Sequence, residues 1–236
     1  MHGEISPKDL ISFIQASPWF TGVPTTCQQA LASVAVVKNY PSKSYLYGAG
    51  DRDQHIYGVY KGRVRFSLSG SQGQCFAITD LQSGQWFNDA ALAGDIEHIS
   101  EIQTRSEAIL IKLPKSIILE QAEIYPCIYR NLFHQEVTTS KDLLKLLADM
   151  MFYPLPARLA ARLLLLAQQH GELRDDGTHL HLELSQTDFG RLCWGSRQRI
   201  NKILCEWQAA GLVARCHQGY VIADPEGLAA TIKKLT

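Results

Sequence analysis

Polar and apolar positions fall into distinct regimes along the chain. Within residues 5–37, Leu10, Ile11 and Ile14, then Leu31, Val34 and Val37, recur at helical spacing on either side of Pro18, Gly22 and Pro24. Two short helices are predicted there. From Tyr40 to Leu113 the period drops to two. Ile56, Tyr57, Val59 and Tyr60 read as one strand, Val64, Phe66 and Leu68 as the next, and Cys75, Ala77 and Thr79 as a third. Glycines at 48, 50, 58, 62, 70, 73 and 84 punctuate these runs where turns or close approaches are needed. Many short alternating strands with regular turn signals predict a β-sandwich or roll.

Helical spacing returns between Ser116 and Met151. Tyr129, Leu132, Phe133, Val137, Leu143, Leu144, Leu147 and Met151 make an apolar stripe interrupted by a polar middle, His134 to Asp142. Pro126 fits the first turn of a helix of about 25 residues, long enough to serve a core or a subunit interface. Pro154 and Pro156 break the chain, the best domain boundary in the sequence. Beyond it a helix is predicted over Ala157–His170, with Leu159, Leu163, Leu164 and Leu166 apolar and Arg158 and Arg162 outward. GELRDDGTHL then reads as a turn, and His179 to Leu184 as a strand.

Composition narrows the classes. The chain has 236 residues, 46% of them hydrophobic and 19% charged, enough to build packed cores. The formal net charge is zero, so nucleic-acid binding would have to rest on a local basic patch. No secretory signal or apolar run of membrane-spanning length is present, which predicts a cytoplasmic protein. The six cysteines are scattered without a CxxC pair, and read as reduced thiols rather than metal ligands. No nucleophile or metal constellation points to an enzyme.

The informative stretch is LSQTDFGRLCWGSRQRINKILCEWQAAGLV, residues 184–213. Ser185 and Asp188 form a capping box that opens a short helix, Gln186 to about Cys193. Ser196 caps a second helix running to about Ala210, which Gly211 ends. Ile200, Ile203, Leu204 and Trp207 share one face of it and must pack inward. Arg197, Gln198, Asn201 and Lys202 occupy the other side, and Arg199 a flank. These side chains hydrogen-bond base edges or phosphates. Two β-prone runs around His217, Gln218 and Gly219 supply a wing. Helix, strand, helix, helix and hairpin together spell a winged helix-turn-helix. Arg191, Arg199 and Arg215 are the candidate phosphate contacts.

The chain resembles the cyclic-AMP receptor protein / fumarate-nitrate reduction regulator (Crp/Fnr) family over nearly its whole length. LSQTDFGRLCWGSRQRINKIL, AAGLV and DPEGL resemble the family's recognition region. GDRDQHIYGVYKGRV followed by SGQWF resembles its effector-domain β-roll. The resemblance implies an α+β fold: an N-terminal cyclic-nucleotide-binding-like β-roll with helices (1–122), a dimerisation helix and hinge (123–153) and a C-terminal winged helix-turn-helix (154–236). It implies a homodimeric regulator of transcription with a double-stranded DNA operator and RNA polymerase as partners. By the same resemblance Arg197 reads guanine, and Gln198 and Lys202 face bases. The turn departs from the family, which usually has glycine where this chain has Trp194. A left-handed backbone there would strain tryptophan, so either the turn shifts by one residue or packing holds it.

The effector loop, GQWFNDAALAGDIEHISEIQTR, departs further. Asn88 stands where the family's nucleotide binders have glycine, and Asp89 where they have glutamate. His98 or Ile99 stands in place of the arginine that pairs with the cyclic phosphate; Ser100 remains. Without that guanidinium a buried phosphate lacks a permanent cation, which argues against cyclic AMP or cyclic GMP. His98 and His55 read as ordinary surface histidines. The N-terminal cysteine cluster of the oxygen-sensing branch is absent, whereas an axial haem histidine would leave no signature. The near-neutral charge and altered loop motivate a second reading, a ligand-binding or protein-interaction module with a degenerate helix-turn-helix.

Overall fold

The computed structural model describes residues 5–71, 75–180, 184–216 and 219–235. It divides into two compact units, Met1–Lys141 and Asp142–Thr236.

The first unit opens with α1 (Pro7–Gln15) and α2 (Thr25–Val34), separated by a short 3-10 turn at Pro18–Phe20. Ser6 caps α1 by accepting from the Asp9 N–H at 3.2 Å. α2 ends at Val34, so Val37 belongs to the first strand rather than to the helix the spacing suggested. Its period-three match is accidental, because Ala35 already has an extended backbone.

Eight strands follow: β1 (Val36–Tyr40), β2 (Tyr45–Tyr47), β3 (His55–Lys61), β4 (Arg63–Ser69), β5 (Cys75–Gln82), β6 (Trp86–Phe87), β7 (Glu101–Thr104) and β8 (Ala108–Pro114). They form two antiparallel sheets, ordered β1-β8-β3-β6 and β2-β7-β4-β5. Alternation decides which side each residue faces. On β3, β6 and β8 one set, Ile56, Trp86, Ile111 and Leu113, packs against Leu10, Ile14, Phe20 and Leu31 of the helical layer. The other set, Tyr57, Val59, Phe87 and Leu110, turns into the roll to meet Tyr47, Val64 and Ile102. Gly58 lies inside β3 rather than at a turn. A Cβ there would stand 2.7 Å from the Phe13 ring and 3.0 Å from Trp86, so glycine is what lets the helical layer close on the sheet. Across β4 and β5, Arg65 and Asp80 are register partners and form a buried two-pronged ion pair at 2.6 and 2.8 Å.

Helix α3 (Lys115–Ile124) leads into α4 (Cys127–Phe152), 26 residues long. Pro126 lies just before α4, not inside its first turn, and its carbonyl accepts the Arg130 N–H at 3.3 Å. α4 has two apolar faces. Ile128 and Leu132 are buried in the helical layer, whereas Phe133, Val137, Leu144, Leu147 and Met151 are exposed.

The second unit continues with α5 (Leu155–His170), β9 (Gly171–Arg174), β10 (Gly177–Leu180), α6 (Gln186–Cys193), α7 (Arg197–Ala209), β11 (Val213–Cys216), β12 (Gly219–Ile222) and α8 (Pro225–Leu235). The strands form one antiparallel sheet, ordered β11-β12-β10-β9. GELRDDGTHL is therefore a hairpin, not a bare turn. β10 ends at Leu180, and the rest of the strand predicted to Leu184 lies in 181–183, outside the described residues. The hairpin β11–β12 forms the wing; His217 and Gln218 at its tip lie outside the described residues. Arg158 and Arg162 do not point freely outward. Both are half-buried with their Nε atoms enclosed, since long arginine stems cover apolar surface on α5.

Candidate nucleic-acid interface and effector loop

The helix pair α6–α7 is built by local rules. Ser185 Oγ accepts the Asp188 N–H at 3.1 Å, and the Asp188 carboxylate accepts the Ser185 N–H at 3.0 Å, a complete capping box. Ser196 Oγ accepts the Arg199 N–H at 3.3 Å and starts α7. Gly211 closes it with φ +72°, the left-handed backbone that glycine adopts without strain.

Between the helices the turn is tight. Gly195 N–H donates to the Gly190 carbonyl at 2.9 Å, and a Cβ on Gly190 would lie 2.6 Å from the Gly195 carbonyl oxygen. Trp194 carries the left-handed turn conformation itself, at φ 52° and ψ 53°, and is 53% exposed. Of the two possibilities, the turn has not shifted: tryptophan occupies the strained position. Such a backbone costs an L-residue about 1–2 kcal/mol.

On α7, Ile200, Ile203, Leu204 and Trp207 are buried, while Ser196, Arg197, Gln198, Arg199, Asn201 and Lys202 are exposed. Arg191 on α6 and Arg215 on the wing are also exposed. Gln186, Ser196, Arg197, Gln198 and Asn201 line one concavity of about 580 Å³. Gln186 is the residue that sequence reasoning missed. It stands at the first position of α6, and its Nε2 donates to Asn201 Oδ1 at 2.5 Å. Only the fold brings the two together, fifteen residues apart.

Two sequence models match this chain in order, a cyclic nucleotide-binding domain over residues 37–125 and a Crp-like helix-turn-helix domain over residues 157–231. The chain belongs to the Crp/Fnr family of transcription regulators. Among curated relatives of this Crp/Fnr protein, the "CRP-like cAMP-activated global transcriptional regulator" of Mycobacterium tuberculosis is 23% identical over 89% of this chain and 94% of its own length. FixK2 from Bradyrhizobium japonicum shares the fold with a TM-score of 0.74 at 17% identity, covering 84% of this chain and 96% of that one. A CooA mutant from Carboxydothermus hydrogenoformans does so with a TM-score of 0.73 at 20% identity, covering 85% and 88%.

The effector loop of this Crp/Fnr regulator differs from a phosphate cradle. Asn88 takes a left-handed backbone, φ 73°, where the family's nucleotide binders have glycine, and its buried side chain donates to the His55 carbonyl at 2.7 Å. Asparagine tolerates that conformation better than most residues. His98 is not a lone surface histidine. Its ring stacks on Tyr47 at 3.9 Å, and its Nε2 is enclosed without a hydrogen-bond partner. Burial lowers its pKa below the usual histidine value, against the opposing pull of Asp53 and Asp51. That favours a neutral ring, which cannot replace a guanidinium. His55 is likewise engaged, its Nδ1 lying 2.8 Å from Asp53 Oδ1, and the Tyr57 hydroxyl donates to the same carboxylate. Ile99 is exposed and Ser100 buried. Arg52 is held by Asp95 and Glu97 at 2.6 and 2.8 Å. These residues do not fit a cyclic phosphate.

A second missed residue is Glu136 on α4, whose carboxyl meets Asp89. The hydrogen bond from this pairing, burial and the Asp89 charge push the Glu136 pKa up to about 8.

Two outcomes follow from this geometry. Trp194→Gly relieves the left-handed strain and raises unfolding stability by about 1 kcal/mol, read from the denaturant midpoint; a fall would show that indole contacts outweigh the strain. Glu136 has a folded pKa, about 8, above its ordinary 4.5, so it supports folding when protonated. That support fades as pH climbs from the lower value through the higher one. Glu136→Gln should flatten this loss, so wild-type and variant stabilities diverge between about pH 5 and pH 8.5. Parallel curves would contradict the pairing with Asp89.

Proposed function

We propose that this chain is a sequence-specific DNA-binding regulator that acts as a homodimer, under control of a small effector other than cyclic AMP or cyclic GMP. The observation that carries the DNA reading is α7, anchored by four buried apolar side chains while Arg197, Gln198 and Lys202 stand exposed on its first turns. A helix of this width enters a major groove, and its N-terminal residues reach base edges. Arg197 is assigned to guanine, with Gln198, Asn201 and Lys202 facing bases. Arg191, Arg199 and Arg215 are assigned to phosphates, where their contacts would give salt-dependent affinity.

The homodimer is supported by α4. Phe133, Val137, Ser140, Leu144, Leu147 and Met151 follow a strict four-three spacing, the seam of a two-stranded coiled coil. Phe133 is 67% exposed, Leu144 66% and Met151 67%, a row of large side chains that a second copy would cover. Dimerisation would set two recognition helices about 34 Å apart, on successive major-groove faces of a palindromic operator. The functional division is accordingly 1–122 for the effector roll, 123–153 for dimerisation and hinge, and 154–236 for DNA. The regulator would act in the cytoplasm, on promoters it shares with RNA polymerase.

The effector reading rests on the loop, where neither His98 nor Ile99 supplies a fixed positive charge. Titration of the full chain with cyclic AMP, cyclic GMP and other small-molecule classes, followed by operator affinity, tests it directly. Activation by cyclic AMP at micromolar concentration would overturn this part alone.

Arg197→Ala should weaken specific operator binding by about 1–3 kcal/mol and relax one base preference in a gel-shift series. Unchanged affinity and preference would displace Arg197 from its assigned role. Leu144→Arg should convert the dimer to monomer in sedimentation equilibrium and weaken operator binding with it; a dimer of undiminished affinity would remove α4 from the interface.

A further inference from the structure

Asn201 is the one base-facing candidate on α7 whose amide already has partners in the protein. Its Oδ1 accepts from Gln186 Nε2 at 2.5 Å and, more weakly, from the Cys205 thiol at 3.9 Å. The structure turns the amide oxygen of Asn201 toward both groups. The amide NH2 is therefore the group left for a ligand. We infer that Gln186, reaching across from α6, is a specificity-determining residue that fixes which base edge Asn201 can read. The inference rests on the DNA-binding reading above.

The chemistry follows from the pairing code. An unrestrained asparagine reads adenine bidentately, accepting from N6 and donating to N7. Here the acceptor half is engaged, so Asn201 is a donor. A donor complements O6 and N7 of guanine or O4 of thymine; at adenine it reaches N7 but leaves the N6 amino group without an acceptor. Gln186 and Asn201 line one concavity with Ser196, Arg197 and Gln198. The base position is thus read by two helices together rather than by α7 alone.

An exposed hydrogen bond of this kind adds little to folding, about 1 kcal/mol or less. Its consequence lies in binding, which separates a specificity role from a merely structural one.

The test is selection of duplexes from a random pool by full-length wild type, Gln186→Ala and Asn201→Ala, followed by affinities for base-substituted versions of the recovered half-site. All three proteins should unfold at the same temperature. Wild type should prefer guanine or thymine over adenine about tenfold at the position that Asn201→Ala relaxes. Gln186→Ala should retain the rest of the half-site and lose that preference, with adenine rising to parity or beyond. A Gln186→Ala logo identical to wild type overturns the inference, as does adenine at the Asn201-dependent position in wild type; in both cases DNA binding itself stands. Failure of wild type to enrich any sequence overturns the DNA-binding reading and this inference with it.

Discussion

Every functional feature of the second unit depends on how α7 is held. Ile200, Ile203, Leu204 and Trp207 recur at three- and four-residue spacing, so burying them fixes the rotation of the helix about its own axis. Once the rotation is fixed, the intervening residues have no choice of direction, and Arg197, Gln198, Asn201 and Lys202 face away from the core. The polar face requires no contacts of its own to be positioned. That economy leaves its guanidinium and amine groups available for a partner. It also explains how a chain with zero formal charge can carry a local cationic surface: the arginines and lysine lie on the first turns of α7 and its flanks, while the acid of that helix, Glu206, lies near its far end.

The same logic of forced direction governs the roll. Period-two alternation on β3, β6 and β8 sends one row into the helical layer and the other into the interior, where Tyr47, Tyr57 and Phe87 fill space. Tyr57 and Phe87 stack at 5.1 Å and Tyr47 stacks on His98 at 3.9 Å. The interior is thus organised by rings, with a histidine whose burial favours the neutral form.

What the sequence revealed, and what it hid, divides by range of interaction. Capping at Ser185 and Ser196, the glycine stop at Gly211 and the two faces of α7 are local, and could be read to within a residue. The strands of the roll were legible from alternation, but the sheet orders were not, since they join residues as distant as Val36 and Lys112. The β9–β10 hairpin was hidden because all four residues of β9 are exposed, which removes the polar–apolar contrast that marks a strand. Arg158 and Arg162 are half-buried because a long arginine stem covers apolar surface, so charge alone does not mean exposure. Gln186 and Glu136 gave no signal at all: their significance lies in Asn201 and Asp89, partners that only tertiary structure supplies.

Glu136 ties one side of α4 to Asp89. It lies one residue before Val137, which sits in the exposed apolar row, while its carboxyl meets Asp89 of the effector loop. Adjacent positions on a helix point about 100° apart, so a single turn of α4 faces the loop on one side and solvent, or a second copy, on the other. Removing the Asp89 carboxylate from beside Glu136 would therefore lower the proton affinity of Glu136 within one turn of Val137, because the two positions share a backbone.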